Sequence, residues 1–134
     1  AVPVLGFAIS LMGTIGIDRE DRRKAVQSLR KAERMVRRGD NLLVFPEGRL
    51  SATERFGEFK KGAFLIAKRL EVPFVPVCIV GTRRVLPRGS RAIRPGRVKV
   101  IVLNPRRAEG DLDELAAATQ AELETVFLEA ARNL

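Results

Sequence analysis

Three short segments of the 134-residue sequence place charged or conformationally special residues directly after apolar runs. Strand ends of this kind are where layered α/β sheets present ligand-binding groups. In Ile17-Asp18-Arg19 the guanidinium of Arg19 can fork onto a phosphate; the plainer reading is Asp18 capping a following helix beside a surface arginine. In Phe45-Pro46-Glu47-Gly48, Gly48 permits a positive φ or a close backbone approach. Glu47, just past an apolar strand, needs partners if it is partly buried. It can accept from a substrate hydroxyl, hold a basic side chain, or belong to an ordinary turn. In Phe59-Lys60-Lys61-Gly62, two lysines lead into a helix, whose N-terminal N–H groups and dipole favour an anion; the alternative is two solvated lysines in a loop.

What is missing is as informative. The sequence holds no histidine, so it contains no Ser-His-Asp triad, no Cys-His dyad and no zinc-histidine site. The lone Cys78 forms no internal disulfide, and with no imidazole to activate it we read it as a small core residue. No metal site and no catalytic residue is assigned.

The elements that must position these segments are legible from periodicity. Residues 4–12 repeat apolar side chains at helical spacing, and residues 14–17 read as a short buried strand. Residues 20–38 form an amphipathic helix with Ala25, Val26, Leu29, Ala32, Met35 and Val36 on one face, ended by Gly39. Residues 41–45 read as a strand covered on both faces. Gly62 to Leu70 reads as a helix, and residues 74–80 and 98–103 as strands. Pro76 removes a ladder donor, so it belongs at an edge, a bulge or a site. Residues 81–96 read as a basic loop. Asp111 and Glu114 open the last helix as a capping box, with Leu112, Leu115, Thr119, Leu123, Val126, Phe127 and Ala130 as its apolar stripe. Helices alternating with apolar strands predict an α/β layered fold, a partly parallel sheet flanked by helices, as a single domain portion over residues 1–134. The uncharged stretch 1–17 is shorter than the roughly 20 residues of a spanning helix and is broken by Pro3, Gly6, Gly13 and Gly16, so we read it as buried helix and strand.

Charge is unevenly spread. The net charge is +9. Residues 19–38 hold nine basic and three acidic side chains, residues 81–107 nine basic and none acidic, and residues 108–134 one basic and seven acidic. The basic part suits an anion: a phosphate, an anionic bilayer surface or nucleic acid. Nucleic acid is the weaker expectation, because Tyr and Trp are absent and no nucleic-acid-binding motif is present.

Taken in order, the segments resemble the glycerolipid acyltransferases, the 1-acylglycerol-3-phosphate (lysophosphatidate) acyltransferases among them. Residues 13–19, Gly-Thr-Ile-Gly-Ile-Asp-Arg, are similar to the family's second block. Phe45-Pro46-Glu47-Gly48 with Ser51 resembles the third, Phe-Pro-Glu-Gly-Thr-Arg-Ser. Phe59-Lys60-Lys61-Gly62 resembles the Phe-Lys-x-Gly that follows, and the residues around Pro76 the fourth block. The resemblance implies a glycerol-3-phosphate acyltransferase-like fold and transfer of a fatty acyl group to 1-acylglycerol 3-phosphate. The donor is acyl-CoA or acyl carrier protein, and there is no other cofactor. It implies that Arg19, Glu47, Gly48 and Lys60 contact or shape the acceptor-phosphate site, and that Pro46 and Pro76 serve the acyl side or the structure. It also implies a lysophospholipid partner and a peripheral place on the cytoplasmic face of a membrane. Two departures stand out. Arg49 and Leu50 occupy the usual Thr-Arg positions, which makes Arg49 the candidate replacement for a phosphate ligand. The family's first block, His-x-x-x-x-Asp, with its general base, is absent. A chain truncated just after that block is the simplest account; a non-catalytic lipid- or nucleic-acid-binding homologue is the alternative.

Overall fold

The computed structural model describes residues 22–48, 56–90 and 92–134. The expected helix over 4–12 and strand over 14–17 lie outside them. The chain divides into two compact units, residues 1–43 and 44–134.

In the first unit, helix α1 (Arg22–Arg37) ends on Arg34 and Arg37, cations that complement the helix C-terminus. Ala32 of the expected apolar face is buried, and Leu29, Met35 and Val36 are half-buried. The chain then reverses through N–H bonds from Gly39 to Val36 and from Asp40 to Met35, at 3.0 and 3.1 Å.

The second unit comprises α2 (Gly62–Leu70), β1 (Val77–Val80), the single-turn α3 (Thr82–Val85), β2 (Lys99–Val102) and α4 (Leu112–Arg132). The mixture of helix and sheet is as expected. The described sheet, however, is one antiparallel pair, with Val77 opposite Val102 and Val80 opposite Lys99. Pairing continues past both strand ends. Leu103 donates to the Pro76 carbonyl at 2.9 Å, and Phe74 and Arg106 exchange two bonds at 2.8 and 2.9 Å. Pro76 thus stands just before β1, contributing its acceptor where it has no donor to contribute.

Residues 41–45 do not form a strand. Leu43 and Phe45 are 74% and 66% exposed. An apolar run becomes a strand only when another strand satisfies its backbone, and no described strand pairs with it. The expected loop 81–96 contains the turn of α3, introduced by Gly81 at φ +94°.

Strand alternation sorts β1 cleanly: Cys78 and Val80 are 1% and 2% exposed, while Val77 and Ile79 face outward. Beneath the inner face lies α4, whose Ala116, Leu123 and Ala130 join Phe59, Phe64, Ala67, Cys78, Val80 and Ala108 in one core. Leu112, Leu115, Val126 and Phe127 pack against it, so the expected stripe of the last helix is the buried one. Asp111 caps α4, its Oδ1 accepting from Asp113 N and Glu114 N at 2.8 and 2.9 Å. Side-chain links tie α2 to the start of α4: Lys61 Nζ lies 2.8 Å from Asp113 Oδ2, and Lys68 donates to the Gly110 carbonyl at 2.7 Å. The Phe64 and Phe74 rings meet edge to face at 5.2 Å, and Arg106 lies over Phe74 while pairing with Glu122 at 2.7 Å.

Candidate functional site

Two of the segments singled out by sequence meet in the second unit. Residues 45–48 form a turn, closed by Gly48 N–H donating to the Phe45 carbonyl at 3.0 Å. Gly48 takes φ +67°, a conformation that a side chain would strain. The turn then grips the segment leading to α2 at two points. Glu47 Oε2 accepts from Gly57 N–H at 2.6 Å, and the Pro46 carbonyl accepts from Lys60 N–H at 2.9 Å. These bonds join the two ends of the 49–55 stretch.

A third bond comes from α4. Gln120 on α4 accepts the Phe59 N–H through Oε1 at 3.0 Å. Its Nε2 donates to Glu124 Oε1 at 2.9 Å, one helical turn on. Phe59 itself is buried, and Phe56 stacks obliquely on it at 5.9 Å and meets Phe127 edge-on at 5.4 Å. Buried rings therefore anchor the segment while its backbone is held by three polar partners.

What this presents to solvent is a pair of lysines at the mouth of α2. Lys60 is exposed and pairs with Glu58 at 2.6 Å, an arrangement that water and salt weaken easily. Lys61 stands at the N-cap position with no side chain capping the helix. Its pKa is raised above the ordinary lysine value, chiefly by the hydrogen bond to Asp113 and then by that carboxylate's charge. The two exposed ammonium groups can meet a phosphate.

The structure thus brings together Pro46, Glu47, Gly48 and Lys60. Arg19, Arg49 and Ser51 lie outside the described residues. Pro76 is buried and contributes its carbonyl to the extended sheet. Among the described residues, Glu47 accepts from backbone, the Gly57 N–H. Sequence reasoning missed Gly57 and Gln120. Nothing marks Gly57, whereas Gln120 carries a weak signal, a polar amide beside the apolar stripe of α4. Cys78 Sγ lies 4.0 Å from the Leu123 carbonyl, and burial pushes its thiol pKa up, as suits an inert core thiol. Among the described residues no cluster of three or more His, Cys, Asp or Glu side chains is placed to hold a metal ion.

The chain is similar to known acyltransferases. A chloroplast 1-acyl-sn-glycerol-3-phosphate acyltransferase of Brassica napus is 42% identical over 105 residues, 78% of this chain and 30% of that protein. A 1-acyl-sn-glycerol-3-phosphate acyltransferase of Saccharomyces cerevisiae is 35% identical over 111 residues, 81% of this chain and 37% of that protein. The chain thus spans about a third of the length of these curated relatives. Among solved structures, the 1-acyl-sn-glycerophosphate (LPA) acyltransferase PlsC of Thermotoga maritima superposes with a TM-score of 0.66 at 30% identity, over 77% of this chain and 45% of that one. The family model described as Acyltransferase matches residues 1–80, which hold every site residue expected from sequence, from Arg19 to Pro76. The chain belongs to the acyltransferase family.

Proposed function

We propose that this chain carries the acceptor-phosphate side of a 1-acylglycerol-3-phosphate O-acyltransferase. In the reaction, the free hydroxyl oxygen of lysophosphatidate attacks the carbonyl of an acyl thioester, acyl-CoA or acyl carrier protein. A C–O ester bond forms, the C–S bond breaks, the thiol leaves, and the product is phosphatidate. The observation that carries the reading is the joining of the Pro46–Gly48 turn to the Lys60-Lys61 segment in a chain of this family. Two lysines and the N-terminal end of α2 supply positive potential for a phosphomonoester. Arg19, Arg49 and Ser51 complete the anion site on the strength of the family resemblance.

The partners are a lysophospholipid acceptor, an acyl thioester donor and an anionic membrane surface, met peripherally at the cytoplasmic face. Among the described residues no helix is long and apolar enough to cross a membrane. The basic stretch 81–107 contains no acidic residue, and it exposes Leu86, Ile93 and Val98, a combination that suits adsorption to lipid.

The test is titration of the chain with lysophosphatidate, with lysophosphatidylcholine and with duplex DNA at physiological salt. Preference for the phosphomonoester lipid over both supports the reading. Equal uptake of the two lysolipids, or a preference for DNA, defeats it.

A further inference from the structure

Beyond the segment that the family model matches, one residue is built into the site. Gln120 lies on α4, forty residues past the end of that match and 61 residues from its partner Phe59. An amide half-buried beside an apolar core requires partners for both ends. Gln120 has both, and they fix its orientation: Phe59 N–H needs an acceptor, so Oε1 faces it, and the Glu124 carboxylate needs a donor, so Nε2 faces that. The neighbouring N–H groups of Gly57 and Lys60 are taken by Glu47 and Pro46. The backbone leading to Lys60 is therefore held both by the Phe45–Gly48 turn and by the helix near the end of the chain.

We infer that Gln120, oriented by Glu124, is a positioning residue that sets the Phe59-Lys60 backbone and so the aim of the Lys60 side chain at the acceptor phosphate. This inference rests on the functional reading above. Gln120 does not itself touch substrate. It acts through a backbone N–H, so any residue that restores the acceptor in place restores the site.

Amide hydrogen exchange and lysophosphatidate titration on the full chain test it. Q120M keeps the length of the side chain and removes both polar atoms. The Phe59 amide should exchange about tenfold faster, and lysophosphatidate affinity should fall by about three- to tenfold, the usual worth of one hydrogen bond. Amides in the middle of α4 should hold their protection. E124A, which frees the amide to rotate without touching its packing, should shift both readouts the same way but less. Q120E/E124Q reverses donor and acceptor between the two side chains while keeping an acceptor for Phe59, and it should return both readouts to within about twofold of wild type. Unchanged Phe59 exchange in Q120M overturns the inference, as does faster exchange with unchanged affinity, or failure of the double variant to rescue. A wild-type chain that takes up no lysophosphatidate overturns the functional reading instead, and the exchange arm, which needs no ligand, still decides whether Gln120 holds the Phe59 N–H.

Discussion

The carboxylate of Glu47 accepts the backbone N–H of Gly57 at 2.6 Å, and this bond ties the acidic residue of the Pro-Glu-Gly turn to the segment leading into α2. Glu47→Ala should therefore cost stability, about 1–2 kcal/mol for a partly exposed charge-assisted bond, read from urea unfolding. Glu47→Gln keeps an acceptor oxygen and should cost less than half as much. Exchange of the Gly57 amide should quicken in the alanine variant. If Glu47→Ala unfolds like wild type, the bond does not hold the segment.

Gly81 offers a sharper backbone test. It sits at φ +94°, and a Cβ there would run into the Arg97 carbonyl oxygen and come within 2.6 Å of Leu134 Cδ2. Gly81→Ala combines left-handed strain with a clash against backbone that cannot step aside, and should destabilise by about 2–4 kcal/mol. Gly89→Ala, with a positive φ but open space around it, is the control and should cost only about 1 kcal/mol. Equal losses at the two positions would show that the Arg97 contact carries no weight.

These positions mark the boundary of what the sequence discloses. Periodicity and capping rules act within a few residues, and they located α2, the face of α4 and the Asp111 cap. The run 41–45 misled because hydrophobicity says that a segment can be buried, not that a partner strand exists. The exposed Phe45 shows the difference. Partly parallel pairing was expected from alternating helices and strands, yet among the described residues between β1 and β2 there is only the single turn of α3, and the two strands pair antiparallel. In the site, Glu47, Gly48 and Lys60 were legible as residue types in a pattern. Their mutual arrangement was not: nothing local marks Gly57, and Gln120, bonded 61 residues away, shows only as a polar amide beside an apolar stripe.

The junction of α2 and α4 should be sensitive to pH from both sides. Asp111 is held below its ordinary value of 3.8, first by the Glu114 N–H and then by that of Asp113. A depressed carboxylate contributes stability in full above its unfolded value and loses it as pH falls through the folded one. Lys61 has the opposite sign. Its pKa is raised above 10.5 by Asp113, so its contribution is complete below that value and lost as pH climbs through the raised one. The thermal midpoint of Asp111→Ala should lie below that of wild type at pH 7, and the gap should close as both are acidified below pH 3.8. A gap that stays constant down to pH 2 would mean that the cap's charge is immaterial.

The 134-residue chain by itself should bind anionic phospholipid vesicles and transfer no acyl groups above background. Binding follows from the charge map: residues 81–107 hold nine cations and no acid, and Arg84, Arg88, Arg94, Arg97 and Lys99 are exposed. Such attraction weakens as salt shortens the screening length below ~8 Å, so adsorption should fade between 0.1 and about 0.5 M salt. The lack of turnover follows from chemistry. An alcohol is a weak nucleophile at neutral pH, and the sequence holds no histidine to take its proton. Glu47, the carboxylate of the Pro-Glu-Gly turn, already accepts the Gly57 N–H through Oε2. General-base assistance is worth about 10²–10⁴ in rate, so its loss should carry turnover below detection while acceptor binding persists. A vesicle sedimentation series and a radiolabelled transfer assay on the same preparation separate the two properties. Saturable transfer by residues 1–134 would require a carboxylate base, and Glu47→Gln would then abolish it. Adsorption indifferent to salt would shift the docking from the cations to the exposed apolar side chains Leu86, Ile93 and Val98.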